Sequence, residues 1–282
     1  MRVNRYAVLC LTIAGALGSG SCSALLAPRR VSSVFREGST KVRVHDHDLV
    51  LHLAVPSMPV PPSTPIVVYA SGDGGWFGSA VGMFHTIAAT GMPTVGFSSK
   101  AFFAIEQRSK PLTAAHVVEG YQRVIDGARA FLAAAPDAPV VLTGWSRGAS
   151  LAVLVASSRS VDPTVTGIVA IGLAADERLD VEGDTDDDDD ADVASTRTAR
   201  GMPVLDMYPL VARIAPRRAV VIQASHDNYL RAARARELFG GESSVKRFVE
   251  IAARNHRFAG GEDAFAMALR EAVRWASNSP KD

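Results

Sequence analysis

Short continuous apolar runs alternate with longer amphipathic stretches along most of the chain. The runs are typical of strands buried on both faces of a sheet. They lie at Ile66–Ala70, Thr94–Phe97, Val140–Thr143, Gly167–Ile171, Ala219–Gln223 and Arg247–Ile251. The stretches that predict helices are Phe77–Ala89, Thr113–Ala134, Ala149–Ser157, Tyr229–Phe239 and Asp263–Ala276. This alternation predicts an α/β protein with a mostly parallel central sheet and helices on both faces.

The N-terminal part of the chain follows a different pattern. Residues 1–22 have two Arg, then an uncharged apolar stretch, then small residues, which is the layout of an export signal. Residues 23–40, with Pro, Ser and Arg, predict a tether. Lys41–His45 and Leu49–Ala54 then predict a hairpin, so we place one folded domain at residues 41–278.

Two cleavage sites fit the signal. Cleavage before Cys22, with lipid attached to its sulfur, would give a lipoprotein of the bacterial type, although Ser19 stands where that pattern usually has Leu. Cleavage after Ser23 would give a soluble secreted protein that begins at Ala24. In both cases Cys10 is lost and no internal disulfide can form. We expect an exported protein, either periplasmic or attached to the membrane through Cys22.

The composition is that of a globular protein. The 282 residues are 48% hydrophobic, with 30 Lys and Arg against 29 Asp and Glu, which excludes a collagen-like or wholly disordered chain. Residues 176–192 hold 11 acids and one Arg, so this segment carries a charge of −10 and the remainder +11. Because basic residues are not clustered with aromatics, we expect no nucleic-acid partner.

The acidic segment belongs to residues 174–208, which interrupt the alternation after the sixth core strand and predict a partly disordered insertion. An EF-hand-like calcium site is excluded, because the run Asp184–Asp192 lacks the glycine at the sixth loop position and the Glu at the twelfth. Two hypotheses remain open. The insertion is either a solvated loop without function or a loop that attracts a cationic substrate, such as a lysyl head group.

The motif that most clearly indicates a catalytic site is Gly144-Trp145-Ser146-Arg147-Gly148, which lies directly between a predicted strand and a predicted helix. A strand, Gly-x-Ser-x-Gly and a helix form the nucleophile elbow, which raises the serine hydroxyl on a strained turn above the strand ends. The following helix offers N–H groups where an oxyanion would develop. Ser146 is therefore the candidate nucleophile.

The partners of such a serine follow it in the order acid, then histidine. His256 follows the last predicted strand and is the candidate base, whereas the other six histidines precede Ser146 or, in His226, adjoin the candidate acid. Asp227 follows the penultimate strand and is that acid. A cap on the helix predicted from Tyr229 is the alternative role for Asp227.

The loop after the strand Ile66–Ala70 reads Ser71-Gly72-Asp73-Gly74-Gly75-Trp76. Its glycines allow backbone N–H groups to approach a ligand, so we assign the oxyanion hole to the N–H groups of Asp73 and Arg147. A phosphate cradle does not fit, because the loop lacks the Gly-Lys-Ser/Thr ending. Candidates for the substrate pocket are Gly74, Trp76, Trp145 and Ser99.

The segments Val67–Trp76, Gly91–Ser99 and Gly144–Ala149 resemble the VirJ/AcvB family of bacterial virulence-associated α/β hydrolases. The resemblance covers roughly residues 62–275, and Ser146 and His256 stand at matching motif positions. It implies an α/β-hydrolase fold and an exported hydrolase, with members associated with hydrolysis of aminoacylated phosphatidylglycerol in the periplasm. This chain departs from the family at Ser98, Trp145, Arg147 and Ser150 and in its Asp run.

From the motif and the resemblance together we expect a serine ester hydrolase of the cell envelope that acts on a small-molecule or lipid ester through an acyl-enzyme, without metal or cofactor. Two alternatives stay open. One is a non-catalytic envelope or secretion-associated binding protein on the same scaffold, since fold does not decide function. The other is a peptidase, because the triad serves both chemistries.

Overall fold

The computed structural model describes residues 34–109, 112–178 and 204–278. The strands within them are β1 (Phe35–Val44), β2 (His47–Pro56), β3 (Ile66–Ala70), β4 (Thr94–Phe97), β5 (Val140–Trp145), β6 (Val165–Ile171), β7 (Asp176–Arg178), β8 (Val204–Asp206), β9 (Arg218–Ala224) and β10 (Lys246–Ile251). The helices are α1 (Ser79–Ala88), α2 (Ser99–Ser109), α3 (Ala114–Leu132), α4 (Arg147–Ala156), α5 (Met207–Ala212), α6 (Ala232–Phe239) and α7 (Glu262–Ser277).

Eight of the strands form one sheet in the order β1-β2-β4-β3-β5-β6-β9-β10. The hairpin β1–β2 is antiparallel and β2 pairs antiparallel with β4, while the other neighbours are parallel. The mostly parallel sheet is thus confirmed. Parallel strands bring their carboxyl ends to one edge, and the order reverses between β3 and β5, so a crevice is expected beside those strand ends.

Helices cover both faces of this sheet, as predicted. On one face α2 to α6 pack over a core that includes Phe102, Tyr121 and Leu151. On the other face α1 and α7 pack over a core that includes Tyr69 and Phe265. The central strands β3, β4 and β6 are buried along their whole length. This double burial is the physical reason that they read as continuous apolar runs.

The structure corrects the start of the domain. Strand β1 begins at Phe35, so the tether predicted to reach residue 40 ends at least six residues earlier. After Phe35 the first half of β1 reads Arg-Glu-Gly-Ser-Thr, and pairing along β2 from Pro56 onward makes it a strand despite that polar composition. The export signal at 1–22, Cys22 and residues 23–33 lie outside the described residues.

The region predicted as an insertion, 174–208, is structured at both ends. Strands β7 and β8 pair antiparallel, with Asp176 opposite Asp206, and α5 begins at Met207. The Asp run 186–190 lies in the segment 179–203, outside the described residues. None of the helices in the described ranges is both long and apolar enough to cross a membrane.

Helix α2 was not predicted. Its buried side carries Phe102, Phe103 and Ile105. Glu106 beside them is also fully buried, and this acid interrupts the apolar periodicity that predicts an amphipathic helix from sequence. Helix α6 starts at Ala232, three residues later than predicted, because residues before it form the loop that carries Asp227.

Candidate active site

Ser146 occupies the sharp turn between β5 and α4, with φ 55° and ψ −124°. A positive φ is strained for a residue with a Cβ. The flanking glycines make the turn possible: a Cβ on Gly144 would lie 2.0 Å from the carbonyl oxygen of Gly148, and a Cβ on Gly148 would lie 2.2 Å from that of Ala70. The side chain of Ser146 is thereby held above the strand ends, half-buried.

Asp227 and His256 meet beside this turn. The Nδ1–H of His256 donates to Oδ2 of Asp227 at 2.7 Å, and the Asp227 side chain is fully buried. The same oxygen accepts from Nε2 of Gln223 at 3.1 Å, while Oδ1 accepts from the N–H groups of Tyr229 at 2.9 Å and Leu230 at 3.4 Å. The N-cap of α6 is Arg231, so Asp227 does not cap that helix.

Because a carboxylate only accepts hydrogen bonds, this contact assigns the proton of a neutral His256 to Nδ1. Its Nε2 is then unprotonated and able to accept a proton. Nε2 is buried and makes no hydrogen bond within the described chain. Trp145 packs on the ring, with centroids 5.4 Å apart, and its Nε1 donates to the His256 carbonyl oxygen at 3.3 Å.

Ser146 and His256 open onto one cavity of about 180 Å³ at the carboxyl ends of the parallel strands. The residues that line it are Asp73, Ser146, Arg147, Gly172, Leu173, Ala174, Glu177, Gln223, Tyr229, Leu230 and His256. The structure therefore brings the candidate nucleophile, base and oxyanion residues to one place, with Asp227 directly behind the imidazole.

Gly172, at the end of β6, makes room for the imidazole. It has a φ of +59°, and a Cβ there would lie 2.5 Å from Cε1 of His256. Any larger residue would collide with the ring or displace it. Sequence reasoning missed this position, because a glycine after a strand is an ordinary turn signal and its neighbour His256 is 84 residues away.

The loop after β3 is held by its own hydrogen bonds. The Gly72 carbonyl oxygen accepts from Oγ of Ser99 at 3.0 Å and from the N–H of Gly75 at 3.1 Å, and the Ser71 hydroxyl lies at 3.1 Å. In a trans peptide the following N–H, that of Asp73, points opposite to this carbonyl. A Cβ on Gly72 would lie 3.4 Å from the Ser146 Cβ, so the loop lies beside the nucleophile.

The second predicted oxyanion donor is the first residue of α4. The N–H of Arg147 therefore lies outside the bonding pattern of that helix, at the positive end of its dipole. Asp73 and Arg147 both line the cavity. The two N–H groups come from separate elements, the loop after β3 and the start of α4.

The four pocket candidates do not line this cavity. Ser99 is buried and holds the Gly72 carbonyl, and Trp145 lies against His256. Trp76 stacks on His52 with ring centroids 4.1 Å apart, in the core of the α1 and α7 face. Gly74 is exposed, and its N–H donates to the side chain of Asp73 at 2.8 Å.

The cavity carries an acid that sequence reasoning placed in the insertion. Glu177 on β7 pairs with Arg147, with Oε1 3.6 Å from Nε. Burial raises the pKa of the Glu177 carboxyl to about 7, although Arg147 acts in the opposite direction. Nη2 of Arg147 donates to the Arg178 carbonyl oxygen at 2.9 Å, and its guanidinium lies over the Phe103 ring. Arg147 thus fastens the base of the insertion to the site.

Only the tertiary structure reveals the roles of Glu177 and Gln223. Glu177 is one of the 11 acids of residues 176–192 and has no distinguishing neighbour in sequence. Gln223 ends an apolar strand, and a buried polar residue at a strand end was the one signal that could have marked it. Among the described residues, three have the spacing of metal ligands, and they lie outside this cavity: His45, Glu106 and His116.

The family model described as bacterial virulence protein (VirJ) matches residues 64–208, about half of the chain. A comparison with curated protein sequences gives no match.

Solved structures match at low identity over most of the chain. Est1E from Butyrivibrio proteoclasticus is 13% identical, with a TM-score of 0.58 over 86% of this chain and 100% of that one. A dienelactone hydrolase from Anabaena variabilis is 18% identical, with a TM-score of 0.55 over 87% and 100%. The esterase domain of a Rhodothermus marinus protein is 16% identical, with a TM-score of 0.56 over 86% and 98%. These likenesses establish the α/β-hydrolase fold.

Proposed function

Because this chain belongs to the VirJ family of bacterial virulence proteins, we propose that it is an exported serine hydrolase of the cell envelope that cleaves carboxylic esters through an acyl-enzyme. One observation carries the proposal. His256 contacts Asp227 at 2.7 Å through Nδ1, its buried Nε2 makes no hydrogen bond to any described residue, and its side chain lines the cavity that Ser146 also lines.

The proposed reaction has two halves. Ser146 Oγ attacks the ester carbonyl while Nε2 of His256 takes the hydroxyl proton and then gives it to the leaving alcohol. Water next attacks the acyl-enzyme, with His256 as base, and Ser146 leaves with the returned proton. The N–H groups of Asp73 and Arg147 stabilise the oxyanion in both halves, and Asp227 holds the imidazole in its reactive tautomer.

The charges of the cavity support an acyl group that bears a cation. With Glu177 ionised, the cavity that Ser146 lines carries two carboxylates, from Asp73 and Glu177, against one guanidinium from Arg147. An ammonium group would add the second positive charge to this set. The function that fits best is hydrolysis of an aminoacyl ester, and the family resemblance makes an aminoacylated lipid of the lysyl-phosphatidylglycerol kind our proposed substrate.

Exposed aromatics near the cavity support a lipid substrate. Tyr229 lines the cavity and is 73% exposed, and Phe77, directly after the loop that carries Asp73, is 68% exposed. Large exposed aromatics suit contact with the interfacial region of a membrane.

The proposed export and the lipid anchor at Cys22 would hold the enzyme at such a surface. Mass spectrometry of the mature N-terminus tests this point: a chain that begins at Ala24 contradicts the anchor.

Labelling with a fluorophosphonate probe tests the nucleophile. Wild type should be labelled and Ser146→Ala should not, while the exposed control Ser160→Ala should label as wild type does.

Ester hydrolysis by Ser146→Ala and His256→Ala should each fall by about 10³-fold or more, and the double variant should be little worse. Labelling that persists in Ser146→Ala refutes the mechanism. A folded wild type with neither labelling nor turnover favours the binding-protein alternative, and cleavage of matched amides favours a peptidase.

The substrate class has its own test. Vesicles containing lysyl-phosphatidylglycerol should be hydrolysed with at least 10-fold higher kcat/KM than vesicles in which both lysyl amines are acetylated. Glu177→Gln should reduce that ratio several-fold, whereas Glu237→Gln, an exposed acid on α6, should not. Equal rates on both lipids would contradict recognition of a cation while leaving the esterase proposal intact.

A further inference from the structure

A second buried cluster of ionisable side chains lies near the other end of α2 from Ser99. Glu106 on α2 contacts His45, at the turn of the β1–β2 hairpin, and His116, in the first turn of α3. Ser99 and Glu106 are seven residues apart, which is about 10 Å along the helix. The cluster thus joins three elements and shares no residue with the cavity of Ser146.

Two distances within the cluster equal those between ligands around one ion, and all three ligand atoms lie close together. Nε2 of His45 lies 3.1 Å from Oε1 of Glu106, and Nε2 of His116 lies 3.4 Å from Oε2. One ligand atom from each residue falls within 4.8 Å of the other two. Ligands about 2.1 Å from a common metal ion are about 3.0–3.4 Å apart at octahedral to tetrahedral angles.

Burial of the Glu106 carboxyl group is energetically unfavourable. Its side chain is fully buried, and no Lys or Arg pairs with it among the described residues. Oε2 of Glu106 and Nε2 of His116 are both buried and form no hydrogen bond within the described chain. Burial, together with the negative charge of Glu119, raises the pKa of the Glu106 carboxyl to about 8. When Glu106 is ionised, a bound cation would compensate its buried charge and give both atoms a ligand bond in place of the missing hydrogen bonds.

The chain makes room for this carboxylate. Gly120 lies inside α3, and a Cβ there would fall 1.8 Å from Oε1 of Glu106 and 3.2 Å from Nε2 of His45. A glycine within a helix costs about 1 kcal/mol relative to alanine. The backbone of α3 therefore passes close to the cluster.

We propose that His45, Glu106 and His116 form a binding site for a divalent transition-metal ion, and that this ion is Zn²⁺. Two imidazoles and one carboxylate suit Zn²⁺ and leave a coordination position for water. The rings of His45 and His116 stack with centroids 4.1 Å apart and planes 14° apart. Joint coordination therefore requires one ring to turn, and His45 is the more exposed, at 12% against 6%.

The ion would fasten the edge hairpin of the sheet to α2 and α3. Because it binds the folded state, it stabilises the protein according to its free concentration and affinity. It has no part in the chemistry at Ser146, so its effect is expected in stability rather than in turnover.

The experiment uses the full chain, freed of metal with EDTA, and Zn²⁺ as the probe. Calorimetry should show one strong site per chain, and saturating Zn²⁺ should raise the Tm by several degrees. Glu106→Gln and His45→Asn should each weaken this site at least 10-fold and abolish the rise in Tm. Asparagine tolerates the positive φ of 48° at position 45. The matched control is His47→Asn, in the same hairpin, which should bind as wild type does.

Absence of strong Zn²⁺ binding by wild type would refute the proposal. So would undiminished binding in both Glu106→Gln and His45→Asn, because the ion would then lie elsewhere, for example on the Asp run. Should Glu106→Gln fail to fold, two measurements replace it. Zn²⁺ binding by His45→Asn should be weakened, and Co²⁺ bound to wild type should show the d–d absorbance of a coordinated ion. Ester turnover by His45→Asn should equal that of wild type, which separates this test from that of the catalytic proposal.

Discussion

Asp227 and Glu106 are both buried carboxylates in contact with histidine, but their surroundings differ. Asp227 accepts two backbone N–H groups and the Gln223 amide in addition to His256. Among the described residues Glu106 contacts two imidazoles, and burial raises the pKa of its carboxyl to about 8. Fixed dipoles orient the Asp227 carboxylate toward His256, whereas in our proposal a bound cation would compensate the charge of an ionised Glu106.

The two histidine sets also differ in what they face. His256 lines a cavity together with Ser146, whereas the imidazoles of His45 and His116 face each other and Glu106. Each set nevertheless depends on a glycine beside it, since a Cβ on Gly172 would strike His256 and one on Gly120 would strike Glu106. The same pair of residue types therefore supports catalysis at one place and, in our proposal, ion binding at another.

The largest expected contrast comes from removal of each charge without change of shape. Asp227→Asn should lower kcat for an ester by about 10³- to 10⁴-fold, because the amide no longer holds the reactive tautomer of His256. Glu106→Gln should leave kcat within about twofold. Initial rates on a common ester, with circular dichroism to confirm folding, measure both. A similar loss of kcat in the two variants would contradict separate roles for Asp227 and Glu106.

A smaller contrast is expected from the two glycines. Gly172→Ala should lower kcat about 10- to 100-fold, because the added Cβ displaces the imidazole from its position relative to Ser146. Gly120→Ala should lower the Tm and leave kcat near wild type. Gly240→Ala is the control for Gly172, because position 240 has a similar φ of +69° but no atom within 4 Å of the added Cβ. If Gly240→Ala loses as much activity, backbone strain rather than the collision with His256 is responsible.

Glu177 extends the comparison to a buried acid paired with Arg147. Because its pKa in the folded protein is raised to about 7 from 4.5, its contribution to stability is full below pH 4.5 and is lost as the pH rises through 7. Glu177→Gln should therefore gain stability relative to wild type between those values, by about 1–3 kcal/mol at pH 8. Urea unfolding at pH 5 and pH 8 measures the difference. A difference between the two proteins that does not change with pH would contradict the raised pKa.

Much of the fold follows from local patterns. Strands β3 and β4 have the predicted limits, because a strand buried on both faces must be apolar at every position. Strand β1 and helix α2 were missed in part or whole. β1 is polar because it lies at the sheet edge, and α2 has a buried Glu106 on its apolar side. Neither element shows a clear apolar pattern, because both are stabilised by contacts with residues distant in sequence.

The sequence by itself determined the elbow around Ser146 and the order in which an acid and a histidine follow it, because strand, tight turn and helix are local and glycine marks the turn. It also placed Asp227 and His256 after the correct strands. Only the tertiary structure decided that Glu177 and Gln223 line the cavity, that Gly172 admits the imidazole, and that Glu106 gathers two histidines. These contacts join residues tens of positions apart through the packing of the sheet and its helices, and no local pattern records such distances.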